Sequence, residues 1–262
     1  MTIFVCLSVQ FKYAHLQPSV PVAVVKEILL NLPAEEVVLK CRLVCREWKM
    51  LVDSQSHWRG RCRREGIEPH NTSRAPADWQ RFYFLRKKQR NLLKNPKAEE
   101  KLNGWEIVHN GGDGWAEEGS RVPLFENTVT KCFITSYMLC LKQQIIDLKK
   151  EGYSPAIMDQ WQPNIKISDW YTPRCDCGCY YKIFVRLLGQ NKEELRTFHD
   201  KVVFPQWNDE QWCHMTHVLK NYGPGVRFIQ FIHGGKDTQY WKGWYGIRLT
   251  NSSVEICLED GS

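Results

Sequence analysis

Tyr181-Lys-Ile-Phe-Val-Arg-Leu-Leu188 and Val226-Arg-Phe-Ile-Gln-Phe-Ile232 carry the clearest alternation of apolar with polar or charged residues in the chain. That is the two-residue period by which a strand turns one side chain inward and the next outward. Working outward from this pair, Cys132-Phe-Ile-Thr-Ser-Tyr137 shows the same period, which puts Phe133, Thr135 and Tyr137 on one face. Trp105 to His109, Asn164 to Ser168, Trp212 to Leu219 and Tyr245 to Leu258 are further strand candidates, separated by Gly, Asn, Asp and Pro. So many short strands predict an antiparallel β-sandwich, with one helical insertion over Gly152 to Gln160.

Upstream the period changes. Pro21 to Leu32 is a short apolar helix with Lys26 and Glu27 turned out, and Pro33-Ala34-Glu35-Glu36 opens another. Proline suits a first helical turn, and acids favour the positive end of the helix dipole. Val37, Val38, Cys41, Val44, Cys45, Trp48, Leu51 and Val52 then recur at intervals of three and four, so one stripe of this second helix is expected to be buried. A third helix holds Trp58 and Cys62 up to Gly66, and a fourth runs from Asp78 through Trp79, Phe82, Tyr83 and Leu85 to Arg90. Helices first and strands afterwards predict an α+β multidomain chain rather than alternating βαβ units. Around Asn91 to Gly104 the periodicity fails, so the cut falls near residue 100: an unassigned segment 1–20, a small helical domain 21–66, a helical linker 67–103 and a β-domain 104–262.

The 262 residues are 43% hydrophobic and 25% charged, a globular profile that excludes wholesale disorder, collagen and coiled coil. Charged residues interrupt every apolar window before the roughly 20 residues a membrane helix needs, which predicts no membrane span. The start, through Ala14-His15, has no basic region before its apolar run, so it is expected to be non-secretory. Eleven cysteines, odd in number and scattered through apolar runs, favour free thiols in a reducing compartment, hence the cytoplasm. The acceptor patterns at Asn71 and Asn251 are discounted on that ground. Between His57 and Lys97 stand 12 Lys and Arg against 3 Asp and Glu, so the +7 formal charge belongs to one segment. A solvated helix face explains it better than nucleic acid does, with Trp79 and Phe82 packing and Arg86, Lys87, Lys88 and Arg90 in water.

No nucleophile elbow, phosphate loop, zincin helix or dinucleotide fingerprint is present, and no carboxylate pair stands out, so the chain reads as non-enzymatic and without a cofactor. Cys175-Asp-Cys-Gly-Cys179 has single-residue spacings, whereas structural zinc sites use two to four residues between paired ligands. A turn leading into the Tyr180 strand is expected instead, and no metal. His233 to Gly246 holds four glycines and four aromatics in fourteen residues. Gly-flanked aromatics lack core alternation, so this window is expected to be a loop with some ring exposed. An exposed Trp or Tyr offers a flat apolar face with few rotors and a polar edge, which suits the C–H faces of a sugar.

Leu32-Pro-Ala-Glu-Glu-Val-Val, followed by Cys41-Arg-Leu-Val-Cys-Arg-Glu-Trp-Lys-Met-Leu-Val52 and Trp58, resembles the F-box, by which substrate receptors dock on the Skp adaptor of cullin ubiquitin ligases. Asn110 to Trp115, Ile146 to Leu148, Glu151 to Tyr153, Asp169 to Tyr171, Tyr222 to Arg227 and His233 to Ser253 resemble the F-box-associated domain of the sugar-recognising F-box proteins. The resemblance implies a cytosolic, non-catalytic receptor that presents misfolded N-glycosylated proteins, retrotranslocated from the endoplasmic reticulum, to a Skp and cullin ligase. It implies a sandwich whose loops hold the inner chitobiose of high-mannose glycans, centred here on Tyr240, Trp241 and Lys242, with Asp176 and Tyr137 as neighbours. It implies adaptor contacts at Pro33, Val37, Val44, Trp48 and Leu51. The alternative within the same scaffold is a receptor that recognises a protein surface and no glycan.

Overall fold

The computed structural model describes residues 20–69, 75–119 and 129–257. The start over residues 1–19, the acceptor pattern at Asn71 and the strand end at Leu258 lie outside them. The chain divides into two compact units, up to Phe84 and from Leu85.

The first unit is helical: α1 (Val22–Asn31), α2 (Ala34–Leu39), a 3-10 turn (Cys41–Leu43), α3 (Arg46–Val52), α4 (Gln55–Arg64) and α5 (Trp79–Lys88), in which the division falls. The single long second helix expected from the apolar stripe is instead three pieces. Lys40 leaves helical geometry at φ −121°, and the extended Cys45 starts α3 afresh, its thiol accepting the Trp48 N–H. β-branched Val37, Val38 and Val44, with Cys41 and Cys45 among them, hold a long helix poorly. The break also turns Val44 outward, while Val37 and Cys41 stay in the core with Leu29, Val52, Trp58 and Cys62. The Trp58 indole N–H donates to the Val52 carbonyl at 2.7 Å. Buried Arg61 donates to the Leu29 and Leu32 carbonyls, each at 2.7 Å, closing the last turn of α1, where carbonyls have no intrahelical donors.

The second unit is a sandwich of two five-stranded antiparallel sheets. One has the order β1 (Glu106–Asn110), β4 (Cys140–Asp147), β9 (Phe228–Asp237), β6 (Cys179–Leu188), β7 (Glu194–Phe204). The other is ordered β2 (Ala116–Gly119), β3 (Lys131–Ile134), β10 (Arg248–Cys257), β5 (Asn164–Thr172), β8 (Cys213–Leu219). Along β6 the inward residues Tyr181, Ile183, Val185 and Leu187 are fully buried and those between them are not, as the alternation predicts. They meet Ile165, Ile167, Leu249, Val254 and Ile256 of the facing sheet. Each such aliphatic side chain contributes about 1.5–3 kcal/mol by leaving water.

Several boundaries differ from those expected. β3 stops at Ile134, so Tyr137 stands in the following loop rather than on the strand. The helical insertion is a π-helical turn, Ile157–Trp161. β9 continues through His233, Gly234 and Gly235 to Asp237, so the loop begins five residues later than the glycines suggest. Those glycines are strand residues of necessity: a Cβ on Gly234 would collide with the Cys140 carbonyl of β4, and one on Gly235 with the Tyr180 carbonyl of β6. The stretch after Leu85 packs into the sandwich, with Leu85, Leu92, Leu93 and Ala98 in its core. Asn91 binds the Ser252 carbonyl and the Val254 N–H of β10, and Gln144 of β4 pairs with the Lys94 backbone. The helical linker expected to run to 103 therefore ends as a core segment of the sandwich. Lys88 and Arg90, expected in water, bond to the Gly152 carbonyl and to Glu151.

Candidate functional site

In both sheets the odd strands run one way and the even strands the other, so the β1–β2, β3–β4, β5–β6, β7–β8 and β9–β10 loops gather at one end of the sandwich. The β9–β10 loop is set by Asp237, the last residue of β9. Its buried carboxylate accepts the N–H groups of Gln239 at 3.1 Å, Tyr240 at 2.6 Å and Trp241 at 3.2 Å. Charged acceptors on backbone N–H make strong hydrogen bonds, and three of them hold Tyr240 in the left-handed region at φ +57°. The rings are turned out: Tyr240 is 66% and Trp241 37% exposed.

Two neighbouring loops pin the remainder. The Gly243 N–H donates to Asp113 at 2.8 Å, and its carbonyl accepts from the Ser136 hydroxyl at 2.7 Å. The same hydroxyl accepts the Asp113 N–H, and the Trp244 indole donates to the Gly114 carbonyl. Half-buried Tyr137 follows Ser136, beside Gly112, where a Cβ would lie 3.0 Å from its ring.

On the other side a relay of rings and charge reaches the β5–β6 turn. The Trp241 ring meets Tyr245 edge-on at 5.4 Å, the Arg174 guanidinium covers Tyr245 at 4.6 Å, and Arg174 holds Asp176 by two bonds of 3.1 and 3.2 Å. That bond keeps the Asp176 carboxyl below its ordinary range, so it is an anion and an acceptor at neutral pH. Asn208 and Gln206 of the β7–β8 loop bond to the Arg174 and Asp176 carbonyls, flanking the exposed Trp207.

The end of the sandwich thus carries Tyr240, Trp241 and the exposed Lys242, with Asp176 linked to Trp241 through Arg174 and Tyr245, and Tyr137 in the β3–β4 loop at the same end. None of these groups is a nucleophile activated by a base. A rigid aromatic platform beside a fixed acceptor and a cation can stack on and hydrogen-bond a flat polyhydroxyl ligand. Asp237, Arg174, Tyr245 and Trp207 were not singled out by sequence. An Asp immediately before a polar turn was the signal available for the first.

The Cys175–Cys179 stretch is a turn closed by a bridge between Arg174 and Cys177. Burial pushes the Cys177 thiol up to about 11 and Cys179 higher still, so both are buried neutral thiols in this turn. Among the described residues no group of three His, Cys, Asp or Glu could hold a metal ion, and no helix is long and apolar enough to cross a membrane.

The interior of the sandwich holds a second polar cluster. Asp169 accepts from Tyr181 at 2.8 Å and Ser252 at 2.8 Å and lies 2.6 Å from His233 Nδ1. The Lys142 ammonium nitrogen stands 3.2 Å from the centre of the Trp105 ring and 3.5 Å from that of Phe133. Burial holds Lys142 well below its ordinary range and pushes His233 down to about 4. Asp169, Lys142, His233 and Tyr181 are all fully buried, so this cluster has no face open to a substrate.

In the helical unit Pro33 is exposed, Val44 is 38% exposed, and Trp48 and Leu51 are half-buried. Val37, expected among the same contacts, is fully buried in the unit's own core. The more prominent apolar groups are ones the sequence did not single out, Leu43 at 75% and Met50 at 73% exposed, with Leu39, Val22 and Ile28 beside them in the same unit.

The chain thus carries a helical unit followed by a sandwich with an aromatic loop end. Residues 18–60 match the family described as "F-box domain" and residues 83–256 the one described as "F-box associated region". F-box only protein 6 of Mus musculus is 45% identical over 90% of this chain and 82% of its own length. F-box only protein 44 of Homo sapiens is 44% identical over 90% and 94%, and F-box only protein 2 of Bos taurus 44% over 90% and 82%. The chain belongs to the F-box proteins that carry an F-box-associated region. An F-box implies a Skp adaptor and a cullin as partners. Among solved structures, a carbohydrate-binding module in complex with β-1,4-galactotriose superimposes with TM-score 0.42 at 10% identity, over 64% of this chain and 99% of that one, a likeness too distant for its ligand to bear on this chain.

Proposed function

We propose that this chain is the substrate-recognition subunit of a Skp–cullin–F-box ubiquitin ligase, and that it binds the inner chitobiose of N-linked high-mannose glycans on misfolded glycoproteins in the cytoplasm, for endoplasmic-reticulum-associated degradation. The observation that carries the proposal is the Asp237 clamp, which holds the loop of exposed Tyr240 and Trp241 without leaving it to be ordered on binding. Trp241 stacks on a sugar face, Tyr240 and Lys242 bond its polar groups, and Asp176 accepts from a hydroxyl or acetamido N–H. The chain itself performs no chemistry: it holds the glycoprotein while Pro33, Val44, Trp48 and Leu51, with Leu43 and Met50, engage the adaptor.

Each contact is modest. A ring contact adds about 1 kcal/mol beyond its area and a hydrogen bond about as much net, so one chitobiose unit binds in roughly the micromolar to millimolar range. Several glycans on one substrate raise the avidity. The test is a titration of the full chain with chitobiose, followed by tryptophan fluorescence, with Trp241→Ala as control. Saturable binding that the variant loses is expected. A folded wild-type chain that gives no signal overturns the glycan assignment and leaves a receptor for a protein surface.

A further inference from the structure

The outer face of the β9–β6–β7 sheet carries a feature that neither the sugar site nor the adaptor face uses. Between the buried residues of β6, Tyr180, Lys182, Phe184 and Arg186 point outward. Register sets Tyr180 between Lys236 of β9 and Val203 of β7, and Lys182 between Gly234 and Lys201. Phe184 lies next to His199. The Lys201 ammonium covers Tyr180 at 4.7 Å, Lys182 covers Phe184 at 4.6 Å, and Lys236 covers Tyr240 at 4.2 Å and reaches its hydroxyl at 3.1 Å. Among the described residues no carboxylate lies within salt-bridge reach of these three lysines, whereas Arg186 has Glu194. The strip is therefore a row of unneutralised cations running down β6 from Tyr240.

We propose that this strip binds acidic polypeptide, namely the residues flanking the glycosylated Asn of the substrate. The proposal rests on the glycan assignment for the identity of its ligand, and on three observations for its chemistry. First, charge complementarity: ammonium groups without local counter-ions attract carboxylates and steer their approach. Second, continuity: Lys236 pairs with Tyr180 of the strip and touches Tyr240, so the strip adjoins the proposed glycan site. The four residue steps from Tyr180 to Phe184 then span about 13 Å, matching some four to five residues of extended peptide. Third, the rings are capped. Lysines over Tyr180, Phe184 and Tyr240 occupy the faces on which a nucleic-acid base would stack, which favours peptide over single-stranded nucleic acid.

The experiment uses the full chain and four synthetic octapeptides: a Glu- and Asp-rich sequence and its Gln and Asn counterpart, each with and without chitobiose on a central Asn. Free chitobiose and a single-stranded oligonucleotide serve as competitors. Acidic peptides are expected to bind about tenfold more tightly than neutral ones at low salt, with the preference fading toward 0.3 M salt. Lys182→Glu with Lys201→Glu should abolish the preference and leave chitobiose affinity unchanged. Lys182→Gln with Lys201→Gln replaces that pair if the reversal fails to fold, folding being checked by thermal melting. Equal affinity for acidic and neutral peptides overturns the inference, as does an acidic preference that survives in the variants. Tighter binding of the oligonucleotide overturns it in favour of nucleic acid. If chitobiose fails to bind while the acidic preference stands, the glycan assignment falls and the cationic strip remains.

Discussion

In the helical unit the apolar residues left in water are aliphatic and sit on or beside helices: Val20, Val22, Val24, Ile28, Leu39, Leu43, Val44 and Met50. At the loop end of the sandwich most are aromatic and sit in loops: Tyr240, Trp241, Trp244 and Trp207, with Met138 of the β3–β4 loop the aliphatic exception. Both arrangements leave apolar surface unburied, but for different kinds of ligand. Flexible aliphatic groups on helices gain by being covered over a wide protein surface, whereas rings fixed by backbone bonds gain from one flat ligand each. The contrast extends inward. The helical unit has one short apolar core and relies on single polar anchors such as Arg61, while the sandwich core spans both sheets and tolerates Lys142 and Asp169 at its centre.

The sharpest way to break this comparison is Trp58→Ala. Trp58 is fully buried and bonded to Val52, so its loss costs about 3–5 kcal/mol and should unfold the helical unit alone. Calorimetry of the full chain is expected to lose one transition and keep the sandwich transition in place; loss of both would mean the units do not fold separately.

Acid should strain both units by similar means. Burial lowers His57 in the helical unit and His233 in the sandwich each to about 4 from 6.5. The unfolded chain therefore binds more protons than the folded one between those values, so stability is intact above pH 6.5 and falls as pH drops toward 4, by about 3 kcal/mol per histidine. The helical unit, with less to spare, is expected to melt first. His57→Leu should flatten its pH dependence in melts at pH 7, 6 and 5, and an unchanged slope would contradict the assignment.

Three smaller effects refine the contrast. Asp237→Ala releases three backbone N–H groups and should weaken chitobiose binding about tenfold while the sandwich melts nearly as before; full affinity would show that the clamp does not shape the site. Lys142→Met removes a fully buried amine held among rings and should raise sandwich stability by about 1 kcal/mol, read by urea denaturation. Leu43→Ser with Met50→Ser should change stability by less than about 0.5 kcal/mol yet abolish adaptor capture in a pull-down. Retained capture would move the adaptor face elsewhere on the unit.

How much was legible follows the same physics. β6 could be read because its inner and outer environments differ at every step. β4 could not, because Lys142 and Gln144 occupy inward positions while Ile145 faces out, inverting the pattern. β7 escaped because it is an edge strand whose first residues, Glu194, Leu195, Arg196 and Thr197, are all exposed, and whose later inward row, Phe198, Asp200, Val202 and Phe204, includes a charge. The second helix misled because a three-and-four spacing survives a break that turns its middle outward at Val44. At the loop end the aromatic and glycine cluster announced Tyr240 and Trp241. Arg174 and Tyr245, which join Trp241 to Asp176, lie 71 residues apart and act only through the fold.

The Asp237 clamp has an evolutionary consequence. Its carboxylate grips only main-chain N–H groups, which every residue except proline provides, so the path of the loop makes little demand on the side chains at 239 and 241, while position 240 must accept a positive φ. Drift there can exchange one surface for another, from glycan to protein and back, while the backbone that displays it keeps its shape.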